Sequence, residues 1–404
     1  MIARVQERLV IIGGSAAGLA SARTALALDP RTRIDVVCAD TDAPFYRPGL
    51  SKQLLKGTWT PEQASQPVPT SENLHWHSGV SAVAMDRDRQ RVHLGDGGYL
   101  PFDRLVIACG CRPRRLDVIR GRVLGQSRRL FEANRIGDIA GIRATLPPGG
   151  HAVVIGAGLI GSEVASTLAS SGVRVTMVDP STAPLVRALG VVGNVVCGRW
   201  HRASPIDVRL GCAVAGVSER ANGIDVELSD GESVSADIAI SCLGVVPDTG
   251  WLSDAGLPLT ADGAVSCDEH LIVSGVENVA AAGDVASWQS VRAGFRVRVE
   301  HWLTAVEQGA AAAKNLLSDD ERREPFDAVP MFWTEQHGHL VHFVGHHNPQ
   351  SSWSVVEGTE DDDRMVAVAA SDGLPTGYLL VNAAQRLSHY RSAIGLTGAE
   401  LSVT

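Results

Sequence analysis

Two copies of one pattern constrain this 404-residue chain more than any other feature. In the first, Leu9-Val10-Ile11-Ile12 runs into Gly13-Gly14-Ser15-Ala16-Ala17-Gly18, followed by an alanine-rich stretch over 17–28 and a second apolar run over 34–37. Strand, tight glycine turn, helix and strand in that order open a βαβ nucleotide fold. Gly13 makes the turn, and Gly18 lets the helix pack closely on the strand. The helix amino terminus then presents N–H groups and a partial positive charge to a pyrophosphate. Ser15 takes the middle position of the fingerprint, where the backbone approaches the phosphate, and is small enough to do so. In the second copy, His151-Ala152-Val153-Val154-Ile155 leads into Gly156-Ala157-Gly158-Leu159-Ile160-Gly161, then a helix to residue 171 and a strand over 173–178. Asp179 ends that strand, 18 residues after Gly161, near the spacing of a ribose-binding acid. A carboxylate there accepts both ribose hydroxyls of NAD and repels the extra phosphate of NADP. Pro180 and Ser181 supply no arginine for such a phosphate, so NADH is the expected nucleotide.

A third element is Val276-Glu277-Asn278-Val279-Ala280-Ala281-Ala282-Gly283-Asp284, a strand ending in Ala-Gly-Asp. An aspartate at a strand end can point into a cofactor crevice and accept hydrogen bonds from a sugar-alcohol chain. Two nucleotide folds with this late Gly-Asp resemble the two-dinucleotide flavoprotein superfamily. That resemblance implies FAD at the first site and a nicotinamide nucleotide at the second.

Cysteine placement separates the branches of that superfamily. The disulfide reductases carry redox cysteines beside the flavin, and the corresponding segment here, Pro44-Phe45-Tyr46-Arg47-Pro48-Gly49-Leu50-Ser51-Lys52, has none. Cys109-Gly110-Cys111 has the wrong spacing for a CxxC pair and reads as two small buried residues. The 44–52 segment instead resembles the Arg-Pro-x-Leu-Ser-Lys motif of the FAD-dependent NADH:ferredoxin reductases, the oxygenase-coupled family of the putidaredoxin-reductase type. Further matches are Phe102-Asp103-Arg104-Leu105-Val106-Ile107-Ala108-Cys109-Gly110, Gly158 to Ala165 with Glu163, Glu300-His301-Trp302 with Ala305, Gln308 and Gly309, and Pro330-Met331-Phe332-Trp333-Thr334-Glu335-Gln336. The resemblance covers about residues 8–390.

The resemblance implies an α/β fold, glutathione-reductase-like, with two Rossmann-like dinucleotide-binding domains and a carboxy-terminal α+β domain. It implies a discontinuous FAD domain over 1–113 and 246–320, an NADH domain over 114–245 and a carboxy-terminal domain over 321–404. For FAD it points to Gly13, Ser15, Ala17 and Gly18, to Asp40, Arg47 and Lys52, to Ala82, Ala108 and Gly110, and to Asp284 and Trp302. For NADH it points to Gly156, Gly158, Ile160, Gly161, Asp179 and Gly244. Lys52 and Glu163 are the catalytic candidates, a pair that would orient the flavin edge and stabilise charge on it. Trp302 and Trp333 are expected to wall the flavin edge. The chain departs from the family at four places. The FAD-ribose acid falls at Ala39 with Asp40 beside it, the family's arginine falls at Asn134 with Arg135 beside it, Cys109 stands for a threonine and Gly49 for a proline.

The implied activity takes two electrons from NADH and passes them one at a time to a two-iron ferredoxin, and so indirectly to an oxygenase. A rubredoxin reductase, an oxygen-reducing NADH oxidase or a non-catalytic flavin-binding scaffold are the alternatives. The chain is expected to be a cytoplasmic monomer or weak dimer, with no leader, no membrane span and seven reduced cysteines. With 36 basic against 45 acidic side chains, the net charge of −9 argues against nucleic acid. An acidic ferredoxin would then need a local basic patch, for which Arg292, Arg296, Arg298, Arg386 and Arg391 are candidates. On one strand His337 and His339 would share a face and His342 would point the other way, so these three, with His346 and His347, read as surface or interface histidines rather than metal ligands.

Overall fold

Leu9, Val10 and Ile11 are fully buried in the strand Arg8–Ile12, which is apolar throughout because a parallel strand in an α/β sheet is covered on both faces. The computed structural model describes residues 7–116, 118–119, 122–123, 127–346 and 351–395. The chain divides into two compact units, one made of Met1–Tyr46, Ser65–Arg112 and Val246–Pro330, the other of Arg47–Ala64, Pro113–Val245 and Met331–Thr404.

In the first unit, Leu74–Ser78, Arg33–Cys38, Arg8–Ile12, Arg104–Ile107 and Val276–Ala281 lie side by side in that order, all parallel. The helix Ala16–Leu28 covers this sheet and packs against the helix Trp302–Leu316. The two helices meet through small residues. A Cβ at Gly309 would fall 2.1 Å from the Ala17 carbonyl oxygen, and the Ser21 hydroxyl lies 2.9 Å from the Ala17 carbonyl and 2.8 Å from that of Gly309. A small antiparallel sheet, Ala82–Asp86, Arg91–Leu94 and Tyr99–Pro101, completes this unit.

In the second unit a parallel sheet runs Leu130–Phe131, Ile238–Ser241, His151–Ile155, Arg174–Asp179, Asp207–Leu210. Every residue of His151–Ile155 is buried. The unit also holds an antiparallel sheet ordered Met331–Gln336, His339–Gly345, Leu374–Val381, Met365–Ser371, Ser352–Glu357, followed by the short helix Leu387–Ser392.

The two units group the chain differently from the domain borders expected from sequence. Arg47–Ala64 belongs to the second unit because Leu50, Ser51 and Leu54 are buried in a segment that packs on the helix Leu159–Ser170. The first unit runs on to Pro330, with Phe326 buried edge-on against Trp288 at 5.6 Å. The carboxy-terminal sheet joins the second unit because Leu189, Val196 and Trp200 of the helix Val186–Ala203 share one apolar cluster with Phe332, Phe343 and Leu379.

Candidate nucleotide and redox site

The first glycine turn is built as its fingerprint requires. Gly13 has φ +111°, and a Cβ there would sit 2.1 Å from the Ala108 carbonyl oxygen, so only glycine fits. A Cβ at Gly18 would lie 1.8 Å from the Gly13 carbonyl oxygen. Ser15 precedes the first residue of the helix Ala16–Leu28, and Ala17 is buried beneath it, 3.1 Å from where a Gly283 Cβ would be. Ala108 and Gly110 follow the strand Arg104–Ile107, with open space around Gly110. Asp284 is half-buried just past Val276–Ala281. Asp40 is half-buried just past Arg33–Cys38, next to an exposed Ala39. Ala82 lies at the start of its own strand in the small antiparallel sheet.

Beside the turn is a pocket of about 140 Å³, lined by Ser15, Pro44, Phe45 and Trp302 among others. Tyr46 meets Trp302 edge-on at 5.3 Å. On the helix that Trp302 begins, Gln308 accepts the Gly283 N–H at 2.8 Å through Oε1. Gln308 Nε2 and Thr304 Oγ1 are buried with no hydrogen-bond partner. Buried polar atoms are ordinarily satisfied, so these two fit a bound group rich in oxygen and nitrogen. FAD is such a group; Gln308 belongs to the quoted Glu-His-Trp match, whereas no sequence motif marked Thr304.

The second turn repeats the geometry. Gly156 has φ +113°, and a Cβ there would meet the Cys242 carbonyl oxygen at 2.4 Å; one at Gly161 would meet the Gly156 oxygen at 1.9 Å. Gly158, which precedes the helix Leu159–Ser170, and Gly244 have open space where a side chain would be. Ile160 is half exposed on the first turn of that helix. Asp179 ends its strand with Oδ2 accepting the Ala157 N–H and Oδ1 the Ser181 N–H, both at 2.7 Å. Each oxygen keeps lone-pair capacity for a ribose hydroxyl. Ser241 Oγ, at the end of the strand on the other side of His151–Ile155, is buried without a partner. The residues present therefore fit a second dinucleotide.

Lys52 and Glu163 meet inside the second unit: Nζ lies 2.6 Å from Oε2, with the lysine side chain 11% and the glutamate 3% exposed. The same Oε2 accepts the Ser51 hydroxyl at 2.5 Å, while Oε1 accepts the Thr334 hydroxyl at 2.8 Å and the Glu335 N–H at 3.0 Å. A buried ion pair is stable only with such additional hydrogen bonds. Arg47 donates to the Asn134 carbonyl at 2.9 Å and to its side-chain oxygen at 3.3 Å, so the residue standing for the family's arginine is itself an arginine partner. Asn134 and Arg135 both donate backbone N–H groups to Asp138.

All seven cysteines are free thiols. Cys109 and Cys111 are half-buried rather than buried, and point at the carbonyls of Asp248 and Asp284, at 3.3 and 3.5 Å. Burial pushes the Cys109 thiol up to about 12 and raises Cys111 as well, which disfavours a reactive thiolate at either.

The histidine run is a hairpin, not one strand. His337, at φ +52°, and Gly338 form the turn between Met331–Gln336 and His339–Gly345. His337 Nε2 lies 3.0 Å from His201 Nδ1, and His339 stacks on Trp200 at 4.1 Å. His342 is buried, His346 is half-buried, and His347 lies outside the described residues. Among the described residues, no group of three or more His, Cys, Asp or Glu is placed to hold a metal ion.

The arginines offered for a docking patch already have partners. Arg292 pairs with Asp327 at 2.6 Å, Arg298 with Asp262 at 2.8 Å and Glu300 at 2.9 Å, and Arg386 with Glu357 at 2.6 Å. Arg296 donates to the carbonyls of Cys267 and Ser287, and Arg391 is likewise engaged. Among the described residues no helix is long and apolar enough to cross a membrane.

Two glycine turns of this geometry, each between the first strand and the helix of a parallel strand–helix–strand unit, define a two-dinucleotide-binding oxidoreductase fold. The chain belongs to the pyridine nucleotide-disulphide oxidoreductase family, whose model matches residues 7–309, and within it to the ferredoxin reductases. It is an NAD(H)-dependent FAD flavoprotein. It is 32% identical over 345 residues to putidaredoxin reductase of Pseudomonas putida, covering 84% of this chain and 80% of that one. It is 31% identical over 398 residues to the ferredoxin reductase component of chlorobenzene dioxygenase from Cupriavidus sp. (strain PS12), covering 96% and 93%. The solved covalent putidaredoxin reductase–putidaredoxin complex superposes with a TM-score of 0.89 at 28% identity, covering 98% of this chain and 96% of that one.

Proposed function

We propose that this protein is a cytoplasmic NADH:ferredoxin reductase that takes electrons in pairs from NADH and passes them singly to a two-iron ferredoxin serving an oxygenase. The observation that carries the reading is the buried Lys52–Glu163 pair, in a segment where 44–52 holds no cysteine. The relatives named above, one of them solved bound to its iron–sulfur partner, support the acceptor class.

On this reading the first glycine turn belongs to the FAD site and the second to the NADH site. Bound FAD supplies the chemistry that converts a hydride from NADH into two single-electron transfers. The turn Gly13 to Gly18 and its helix hold one pyrophosphate, and Gly156 to Gly161 with its helix the other. Asp284, Thr304 and Gln308 bind polar atoms of FAD, Asp40 its ribose, and Asp179 the ribose of NADH. Lys52 presents a cation where electrons accumulate, and Glu163 keeps that cation in place. Arg47, Ala82, Ala108 and Gly110 complete the FAD site, and Ile160 and Gly244 the NADH site. Trp302 shields the ring edge from water.

The test is an acceptor assay on the purified holoprotein with NADH, a two-iron ferredoxin and cytochrome c as the final, coloured acceptor. Cytochrome c reduction should require both the ferredoxin and NADH, and a rubredoxin in place of the ferredoxin should support much less. Rapid oxygen consumption without any ferredoxin would identify an oxidase instead.

A further inference from the structure

Glu163 takes its four donors from two stretches of chain far apart in sequence. Oε2 is served by Ser51 and Lys52, and Oε1 by the strand Met331–Gln336, through the Thr334 hydroxyl and the Glu335 N–H. Thr334 is 1% exposed and Gln336 fully buried, yet both are polar where Phe332, two positions before Thr334 on the same face of the strand, is apolar. A valine would pack at the Thr334 position without burying a hydroxyl that needs partners.

Hydrogen-bond accounting fixes which way the hydroxyl points. Gln336 Nε2 donates to Thr334 Oγ1 at 3.1 Å. With its oxygen accepting from an amide, the hydroxyl has one proton to give, and Glu163 Oε1 at 2.8 Å is the acceptor within reach. Two further bonds hold the surroundings. The His337 N–H donates to Ser166 Oγ at 2.7 Å, and the Thr167 hydroxyl donates to the Ser51 carbonyl at 2.8 Å. Both belong to the helix Leu159–Ser170 that carries Glu163. The carboxylate is therefore held at Oε1 by the sheet, leaving Oε2 for the Lys52 ammonium.

We infer that Thr334, oriented by Gln336, is a positioning residue for electron transfer: it fixes Glu163 so that the Lys52 ammonium has a single location. The inference rests on the proposed role of Lys52 at the flavin. Without the Thr334 donor, Glu163 carries a less compensated negative charge that offsets more of the field of the Lys52 ammonium already bound to it, so reduction of the flavin becomes less favourable.

The experiment compares Thr334→Val, Thr334→Ser and Lys52→Gln holoproteins by midpoint potential of the bound flavin, by its absorbance spectrum and by the pH profile of its reduction by NADH. Thr334→Val should lower the potential and slow reduction about tenfold, which corresponds to about 1.4 kcal/mol of barrier. Thr334→Ser, which keeps the hydroxyl, should restore both. An unchanged potential and rate in Thr334→Val, with both altered in Lys52→Gln, would overturn the inference and leave the reading of Lys52 standing. No change in Lys52→Gln either would overturn that reading itself. Should Thr334→Val fail to fold, Gln336→Met carries the test: removing the orienting amide should shift the potential in the same direction, and an unshifted potential would refute the inference.

Discussion

Asp179 is tied to the second glycine turn through geometry that suits its proposed role at the NADH ribose. One oxygen is bound to the amide of Ala157 inside the turn and the other to the amide of Ser181 after the strand, so the carboxylate is held beside the turn. Hydrogen bonds to a charged group are worth roughly 1.5–3 kcal/mol, and about 1.4 kcal/mol is tenfold in affinity. Asp179→Ala should therefore narrow the NADH over NADPH preference by about tenfold or more. The change should appear mainly as weaker NADH binding in steady-state kinetics with both nucleotides, and an unchanged ratio would place the discrimination elsewhere. Spacing from Gly161 was enough to place this residue at the end of its strand beside the turn. It was not enough for Thr334 or Gln336, which lie about 170 residues from Glu163 and come to it only because a strand of the carboxy-terminal sheet packs on the helix Leu159–Ser170. The motif that contains them was readable, but their hydrogen bonds were not.

At the scale of elements, the contact between the helices Ala16–Leu28 and Trp302–Leu316 fixes the first glycine turn, the proposed site of the FAD pyrophosphate. Gly309 presses on the Ala17 carbonyl, one residue before Gly18. Gly309→Ala should push the helices apart, cost about 1–3 kcal/mol as overpacking does, and reduce the FAD bound per chain. Gly137→Ala serves as control: it sits in the helix Ile136–Thr145, where an added methyl meets nothing within 4 Å, and should gain roughly 0.5–1 kcal/mol. Thermal melting and the flavin-to-protein absorbance ratio measure both, and a Gly309→Ala protein with parental FAD content would refute the argument. Strand–turn–helix order made the nucleotide elements legible because glycines with φ near +110° leave a residue signature. The hairpin at His337-Gly338 was missed although a two-residue turn ending in glycine between apolar runs is its ordinary signal. The histidines drew the reading toward a single strand.

For the whole molecule, the net charge of −9 argues against a nucleic-acid role but leaves an acidic protein partner open. The arginines that sequence proximity offered for docking are tied to Asp327, Asp262, Glu300 and Glu357, a pairing no linear reading discloses. The grouping of Arg47–Ala64 and the carboxy-terminal sheet with the second unit was equally hidden, since it follows from tertiary packing of Leu50, Leu54 and the cluster around Trp200. The proposed task of the chain is to bind two nucleotides so that NADH reduces FAD without any thiol. Anaerobic stopped-flow mixing of the holoprotein with NADH tests that most directly. The flavin absorbance band should bleach rapidly and fully with one equivalent of NADH, to the same extent in a variant with both Cys109 and Cys111 replaced by Ser. A flavin that stays oxidised under excess NADH, or one whose reduction is lost with those cysteines, would contradict the account.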